Sequence, residues 1–357
     1  MSIRSARPKE MTFLLSCCLA CFVVAVATAV EFNSTRKYVF DSQLPARLQW
    51  LPNSGYCGEV SLVMATLKKG GAYFSQYDAR AISAVIKKDA QVKHFYLVGE
   101  NDQHASDLLK MTYDEFDNSG SPDPKRYMSW IKKTVRAGHA VTITVFMNHK
   151  MFYGMDKDDA GEADYDHIVS MTRIESNYED DLYHDDDLYT MEDHGLYAPD
   201  WNAQYYFTYT AKQFIANRSQ SNNDNNVYAI PDTPDYGNFG IAHTGFVDTN
   251  KECLPILVET SLNYEKPAIK NNSEDRPEPM SLTLTVTVSG LESGVAYVLY
   301  TYSDETRVPT EAFNAAAAAS APLAVNKFTA SGSSFQLIEN IQSNDKRIYR
   351  AVKASAK

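Results

Sequence analysis

Residues 51–65 read LPNSGYCGEVSLVMA. A lone cysteine stands here between a turn and an apolar run. Asn53, Ser54 and Gly55 are turn and cap formers. Val60, Val63, Met64 and Leu67 recur at helical spacing, and Gly70-Gly71 closes the run. The spacing predicts a helix over residues 56–70 with Cys57 at its N-terminus. Free N–H groups and the helix dipole at that position favour a thiolate. The plainer reading of Cys57 is a buried cysteine packed as a small hydrophobe.

Working outward, Asp78–Lys88 and Pro124–Ala137 read as further amphipathic helices. Ala140–Met147 (AVTITVFM), His167–Ile174 (HIVSMTRI) and Leu188–Glu192 (LYTME) read as strands, the last followed by the turn signal Asp193-His194-Gly195. Residues 202–230, rich in Asn, Ser, Tyr and Gln, read as a long irregular excursion, and residues 239–247 and 254–261 as added strands. Helices followed by an antiparallel sheet indicate an α+β fold. Residues 265–280 carry three prolines among polar residues and read as a linker. Beyond it SLTLTVTV (281–288) alternates strictly, and residues 295–302, 334–338 and 347–352 continue the β pattern. The expectation is a domain over 30–264 and a small all-β, sandwich-like accessory module over 281–357. The alanine run 315–319 fits a loop or a short helix.

The chain has 357 residues and a formal charge of −11. With no basic stripe, nucleic acid is excluded as the expected ligand. Residues 1–29 join a basic start, an apolar run and Ala27-Thr28-Ala29, the pattern of a secretory signal peptide. The same run is nearly long enough for a membrane anchor. Cleavage predicts a secreted or secretory-lumen protein without membrane contact. Sequons at Asn33, Asn217 and Asn271 fit a glycoprotein. Three of the five cysteines fall in the leader, which leaves Cys57 and Cys253. Two cysteines in a secreted chain raise a disulfide as the competitor to a catalytic Cys57. The acidic runs DKDDAGEADYD and YEDDLYHDDDLYTMED read as solvated loops, because Ala160 stands where a calcium loop needs an oxygen ligand. No cofactor or metal is expected.

A cysteine nucleophile needs a base, an orienter for it, and oxyanion donors. The base candidate is His167, which opens a strand. If 167–174 and 188–192 form a hairpin, its open end brings Asp193 beside His167, where it could fix the imidazole tautomer. His243, in Gly240–Gly245, is the second candidate; His139 and His194 read as surface or packing residues.

The order YCGEVSL on a helix, Gly138–Val145 (GHAVTITV) on a strand, then Asp166-His167-Ile168-Val169 opening the next, resembles papain-like cysteine peptidases. It is most similar to the branch of bacteriocin-processing, double-glycine leader peptidases. The resemblance spans about residues 45–200. It implies a helix bearing Cys57 packed on an antiparallel sheet bearing His167, with Asp193-His194-Gly195 resembling the Asn-Ser-Trp-Gly turn. It implies hydrolysis of a peptide or protein substrate. Leu51 stands where the family's oxyanion glutamine usually lies, so Gln49 or Asn53 is the side-chain donor, beside the Cys57 N–H. Glu59 replaces a small or apolar residue and is expected to face solvent or line the cleft. The alternative function is a secreted, non-catalytic binding or structural protein that keeps the fold.

Overall fold

Caps and apolar spacing start helices at Cys57 and Pro124 as the sequence suggests, whereas the helix expected over Asp78–Lys88 spans Gln76–Ser83, with Ala84 extended and residues 85–88 outside the described residues. Asp123 accepts the Arg126 N–H at 2.9 Å, Pro124 occupies the first turn, and Gly138 ends the helix at φ +74°. The computed structural model describes residues 34–50, 55–84, 95–116, 123–152, 165–195, 206–223, 226–232, 238–265 and 276–355. Ser34–Lys357 form one compact unit, and residues 1–33, where the sequence suggests a leader, lie outside the described residues. Among the described residues no helix is long and apolar enough to cross a membrane.

The order is mixed α+β. It begins β1 (Tyr38–Asp41), α1 (Cys57–Ala65, extended by a π-helical turn Thr66–Gly70), β2 (Ala72–Tyr73), α2 (Gln76–Ser83), α3 (Asp102–Leu108), β3 (Met111–Phe116) and α4 (Pro124–Arg136). Then come β4 (Ala140–Met147), α5 (His149–Phe152), β5 (His167–Ser176), β6 (Leu188–Glu192) and β7 (Tyr206–Thr210). Residues expected to be irregular continue with α6 (Ala211–Phe214), β8 (Ile215–Ala216), α7 (Arg218–Asn223) and β9 (Tyr228–Pro231). The polar composition there misled because short caps supply the order: Thr210 and Gln213 make a reciprocal capping box, and Asn217 and Gln220 bond each other's backbone. The chain closes with β10 (Gly240–Phe246), β11 (Ile256–Thr260), β12 (Ser281–Ser289), β13 (Ala296–Tyr302), α8 (Phe313–Ser320), β14 (Ala324–Thr329), β15 (Ser334–Gln342) and β16 (Arg347–Lys353). The alanine run is thus helical.

The large sheet has the order β3-β10-β4-β5-β6-β7, with β1 on β5, β9 on β4 and β8 on β9. Two smaller sheets follow, β11-β12-β15 and β14-β13-β16-β2. All nine residues of α1 are buried. A helix apolar on every side must be covered on every side. Val60, Met64 and Ala65 pack with Leu44 and Ala140 on β4, while Leu62, Val63 and Leu67 share a cluster with Leu282, Leu284, Val286 and Val288 of β12.

That cluster draws on residues from both sides of the expected domain division. The alternation of SLTLTVTV is present, and its buried leucines and valines belong to the same core cluster as the apolar residues of α1. β11, which precedes the expected linker, pairs along β12 from Ile256↔Val288 to Thr260↔Leu284. β2 pairs with β16, and buried Arg350 of β16 donates to the Gly70 carbonyl at 2.8 Å. The described ends of the expected linker are tied down too: buried Glu265 accepts the Gln76 N–H at 2.9 Å, and Met280 N–H donates to Ser343 Oγ at 3.0 Å. Residues 281–355 therefore share one core with the preceding part.

Leu284→Ala tests this. All three tryptophans precede residue 202, so their fluorescence reports only the first part. Loss of a buried leucine side chain costs about 2–5 kcal/mol. The tryptophan-monitored unfolding midpoint is expected to fall with it; an unchanged midpoint would mean two separate cores.

Candidate active site

The turn before Cys57 is built around a buried ion pair. Arg80 of α2 donates from Nε to Glu59 Oε1 at 2.7 Å, and its Nη2 donates to the Gly55 carbonyl. Its guanidinium lies 3.5 Å from the Tyr56 ring centroid and 4.5 Å from that of Phe95. Glu59 Oε1 also accepts the Tyr96 N–H at 3.1 Å. Glu59 is thus wholly buried, in contrast to the expected solvent or cleft position, because an arginine distant in sequence pairs with it. Burial works against the charge on Arg80, but Glu59, Tyr56 and Cys57 more than restore it and raise its pKa. Gly58 is needed for close approach: a Cβ there would lie 2.1 Å from the Tyr96 carbonyl oxygen.

The segment carrying Gln49 is pinned from two sides. Gln76 accepts the Trp50 N–H at 2.8 Å and donates to the Leu48 carbonyl at 2.9 Å. Arg47 N–H donates to Glu192 Oε1 at 2.9 Å, and Gln49 N–H donates to the His194 carbonyl at 2.8 Å. Gln49 is thereby held beside the turn that follows β6. Asn53 lies outside the described residues.

β5 and β6 form the expected antiparallel hairpin, with Ser170 opposite Glu192 and Met171 opposite Met191. Continued, that register sets Asp193 opposite Val169, one diagonal step from His167. The starts of α1 and β5 meet at residues 96–98: Gly58 abuts the Tyr96 carbonyl, and the Tyr165 hydroxyl donates to the Val98 carbonyl at 3.2 Å. Ser170 Oγ donates to Met64 Sδ at 3.8 Å, and Met64 and Ala65 group with Ala140, whose neighbour Val141 pairs with Met171. Cys57 groups instead with Ile168. Seven helical residues back from Met64 and three strand residues back from Ser170 each span about 10 Å. Cys57 and His167 therefore lie at the same end of the sheet.

They do not share a face of it. Val169 and Met171, on the His167 side by alternation, join the core of α4, and Ile168 joins that of Cys57. His167 is buried, its ring stacked on that of Tyr228 with centroids 5.5 Å apart. Tyr228 in turn donates its hydroxyl to Asp193 Oδ1. Tyr228 thus stands where a direct Asp193–His167 hydrogen bond was expected, and His167 Nε2 has no hydrogen-bond partner among the described residues. Burial drives the His167 pKa down to about 3, so the ring is neutral.

His194, expected as a packing or surface residue, is buried beside this group. Its ring centroid lies 6.3 Å from that of His167, and burial together with His167 holds it neutral. His243 is excluded from the site. In β10 it pairs with Ala140, at the far end of β4 from Val145, which pairs with His167. Its Nε2 lies 3.0 Å from Ser106 Oγ. Both Cys57 and Cys253 are free, so the competing disulfide is not formed. Of the acidic runs, residues 178–186 lie at the surface as the solvated-loop reading expects, while Asp187 is buried against Lys132 at 2.8 Å and Asp166 accepts the Met147 N–H at 2.7 Å; residues 156–164 lie outside the described residues. No group of three or more metal-ligating side chains occurs among the described residues.

Tyr228, Arg80 and Gln76 were missed in the sequence. VYAIP (227–231) is a short β-rich run that could have marked β9, and Ser75-x-x-Asp78 is a capping pattern that marks the start of α2. Comparison with protein-family models, curated proteins and solved structures finds no match to this chain.

The buried histidines imply acid lability. Burial lowers His243 from 6.5 to about 4. The folded state then binds its proton less readily than the unfolded state, so its contribution is full above pH 6.5 and is lost as pH falls toward 4. Glu265, raised to about 7 by burial, works in the opposite sense between its ordinary 4.5 and 7. At about 1.4 kcal/mol per pH unit, His243→Gln should reduce the stability lost between pH 6.5 and 4 by roughly 2–3 kcal/mol. Denaturant unfolding at the two pH values measures this; equal losses in variant and parent would refute a neutral buried His243.

Proposed function

We propose that this chain is a thiol hydrolase, a cysteine peptidase or amidase of the papain-like kind, acting on a peptide or protein substrate. One observation carries the reading. A cysteine outside any disulfide opens a fully buried helix at the sheet end that also holds a neutral histidine whose Nε2 has no hydrogen-bond partner among the described residues. The order of elements agrees with it, as a cysteine helix packed on an antiparallel sheet whose next strands carry His167 and Asp193.

In this reading a substrate carbonyl enters at that end of the sheet. The thiol and the His167 ring, borne on opposite faces of the sheet, must meet past its end, where His167 takes the Cys57 proton and the thiolate adds to the carbonyl carbon. Imidazolium returns the proton to the leaving amine, and water, activated by the same ring, releases the acid from the thioester. Asp193 stabilises the imidazolium through Tyr228, whose ring also holds the His167 plane. Arg80 and the helix N-terminus favour the thiolate. The leader pattern and sequons support a reaction outside the cell or in the secretory lumen.

A second reading, a non-catalytic binding protein on the same fold, draws on a specific feature. Cys57 is only 9% exposed and Asp193 is engaged by a tyrosine. Iodoacetamide on the unreduced protein separates the two. The enzyme reading expects alkylation at Cys57 below the ordinary thiol pKa of about 8.5. It further expects Cys57→Ala and His167→Ala to abolish peptide hydrolysis, and Asp193→Ala and Tyr228→Phe to reduce it less. An inert Cys57 thiol supports the binding protein.

A further inference from the structure

The sequence names Gln49 or Asn53 as the side-chain oxyanion donor, and a further residue at the site carries an unspent one. We propose that His194 is an oxyanion donor, its imidazole N–H donating a hydrogen bond to the substrate's carbonyl oxygen as negative charge develops there. The inference rests on the thiol-hydrolase reading above and adds to it a residue that the sequence marks only as packing.

Both ring nitrogens of His194 are buried and, among the described residues, without a hydrogen-bond partner. A neutral imidazole has one N–H and one bare nitrogen whichever tautomer it adopts, so donor and acceptor are both unsatisfied. Buried groups of this kind are rare because desolvation without a partner is costly, and a ligand is one of the few explanations. The backbone adds a second cost. His194 sits at φ +55°, in the left-handed region that a non-glycine residue seldom adopts. The surroundings hold it there: its carbonyl accepts the Gln49 N–H at 2.8 Å, and a Cβ on neighbouring Gly195 would lie 2.3 Å from Leu48 Cδ2.

Its placement matches the role. Glu192 pairs with Ser170, which touches α1 through Met64, so this end of β6 borders the cysteine helix. His194 follows two residues later. The 6.3 Å between its ring and that of His167 brings acceptor and donor imidazoles to the same few atoms. Burial that keeps His194 neutral suits a donor, since an imidazolium would compete with His167 for the thiolate. In the step itself Cys57 Sγ bonds to the acyl carbon and its proton passes to His167. The carbonyl π pair moves onto oxygen, where the His194 N–H meets it. Collapse re-forms the carbonyl and breaks the bond to the leaving group.

Two reactions of one thiol test this on the full chain. Acylation by p-nitrophenyl acetate passes through an oxyanion and expels p-nitrophenolate. Alkylation by iodoacetamide is a direct displacement with no oxyanion. His194→Phe keeps the ring volume and removes the N–H; His194→Asn keeps an N–H and tolerates the left-handed backbone. The phenylalanine variant should acylate about 10²–10³-fold more slowly. Its alkylation rate should stay within about two-fold of the parent, and the asparagine variant should recover part of the acylation loss. Acylation at the parental rate in His194→Phe overturns the proposal. Acylation and alkylation falling together also overturns it, because the role is then structural. A parent whose Cys57 is alkylated but never acylated overturns the hydrolase reading and this inference with it.

Discussion

The buried pair Glu59–Arg80 is the constraint on which the candidate site depends. Arg80 is satisfied several times over, while Glu59 takes both of its hydrogen bonds on Oε1 and leaves Oε2 buried without a partner among the described residues. Arg80 holds a carboxylate, a carbonyl and two aromatic faces, and Glu59 holds the guanidinium and a backbone N–H. Loss of either partner would strand the other at a cost of about 3–5 kcal/mol. The geometry matters more than the energy. The pair clamps the Gly55 carbonyl and the Tyr96 N–H, so the turn before Cys57, the helix start and the irregular segment 95–97 are set together. Gly58 permits this closeness, since any side chain would strike Tyr96.

A second buried arginine extends the same logic. Arg47 donates its N–H to Glu192 and its guanidinium to Thr260 Oγ1 at 2.9 Å. It so links the end of β6 to the strand that pairs with β12. Arg350 does the equivalent at the other end of α1, through Gly70, with its guanidinium 3.8 Å from the Phe246 ring centroid; burial lowers its pKa to about 10. The cysteine helix is consequently held by the large sheet on one side and the C-terminal strands on another. Those strands are part of the scaffold that positions Cys57.

The site is closed and largely neutral. His167 and His194 are uncharged by burial, and Tyr228 joins His167 to Asp193. A neutral base beside a thiol differs from a preformed thiolate–imidazolium pair. It stores no charge in a dry interior until a substrate brings groups that can share it.

Much of this was legible in the chain. The helix at Cys57, α4 with its Asp-Pro cap, the strands at 140, 167 and 188, their hairpin, and the alternation at 281 follow from local periodicity and capping, which depend on near neighbours only. Local order also indicated that Cys57 and His167 begin their elements. What periodicity could not supply was every relation between distant residues: Arg80 under Glu59, Tyr228 between Asp193 and His167, and α1 against β12. Alternation shows that a strand has an apolar face but is silent on what covers it, so the linker before 281 read as a boundary when the core runs through it. A histidine in a turn looks the same in sequence whether solvated or buried. Only the packing of the 47–50 segment against the end of β6 left His194 without water and without a partner, because burial and hydrogen bonding are properties of the assembled interior.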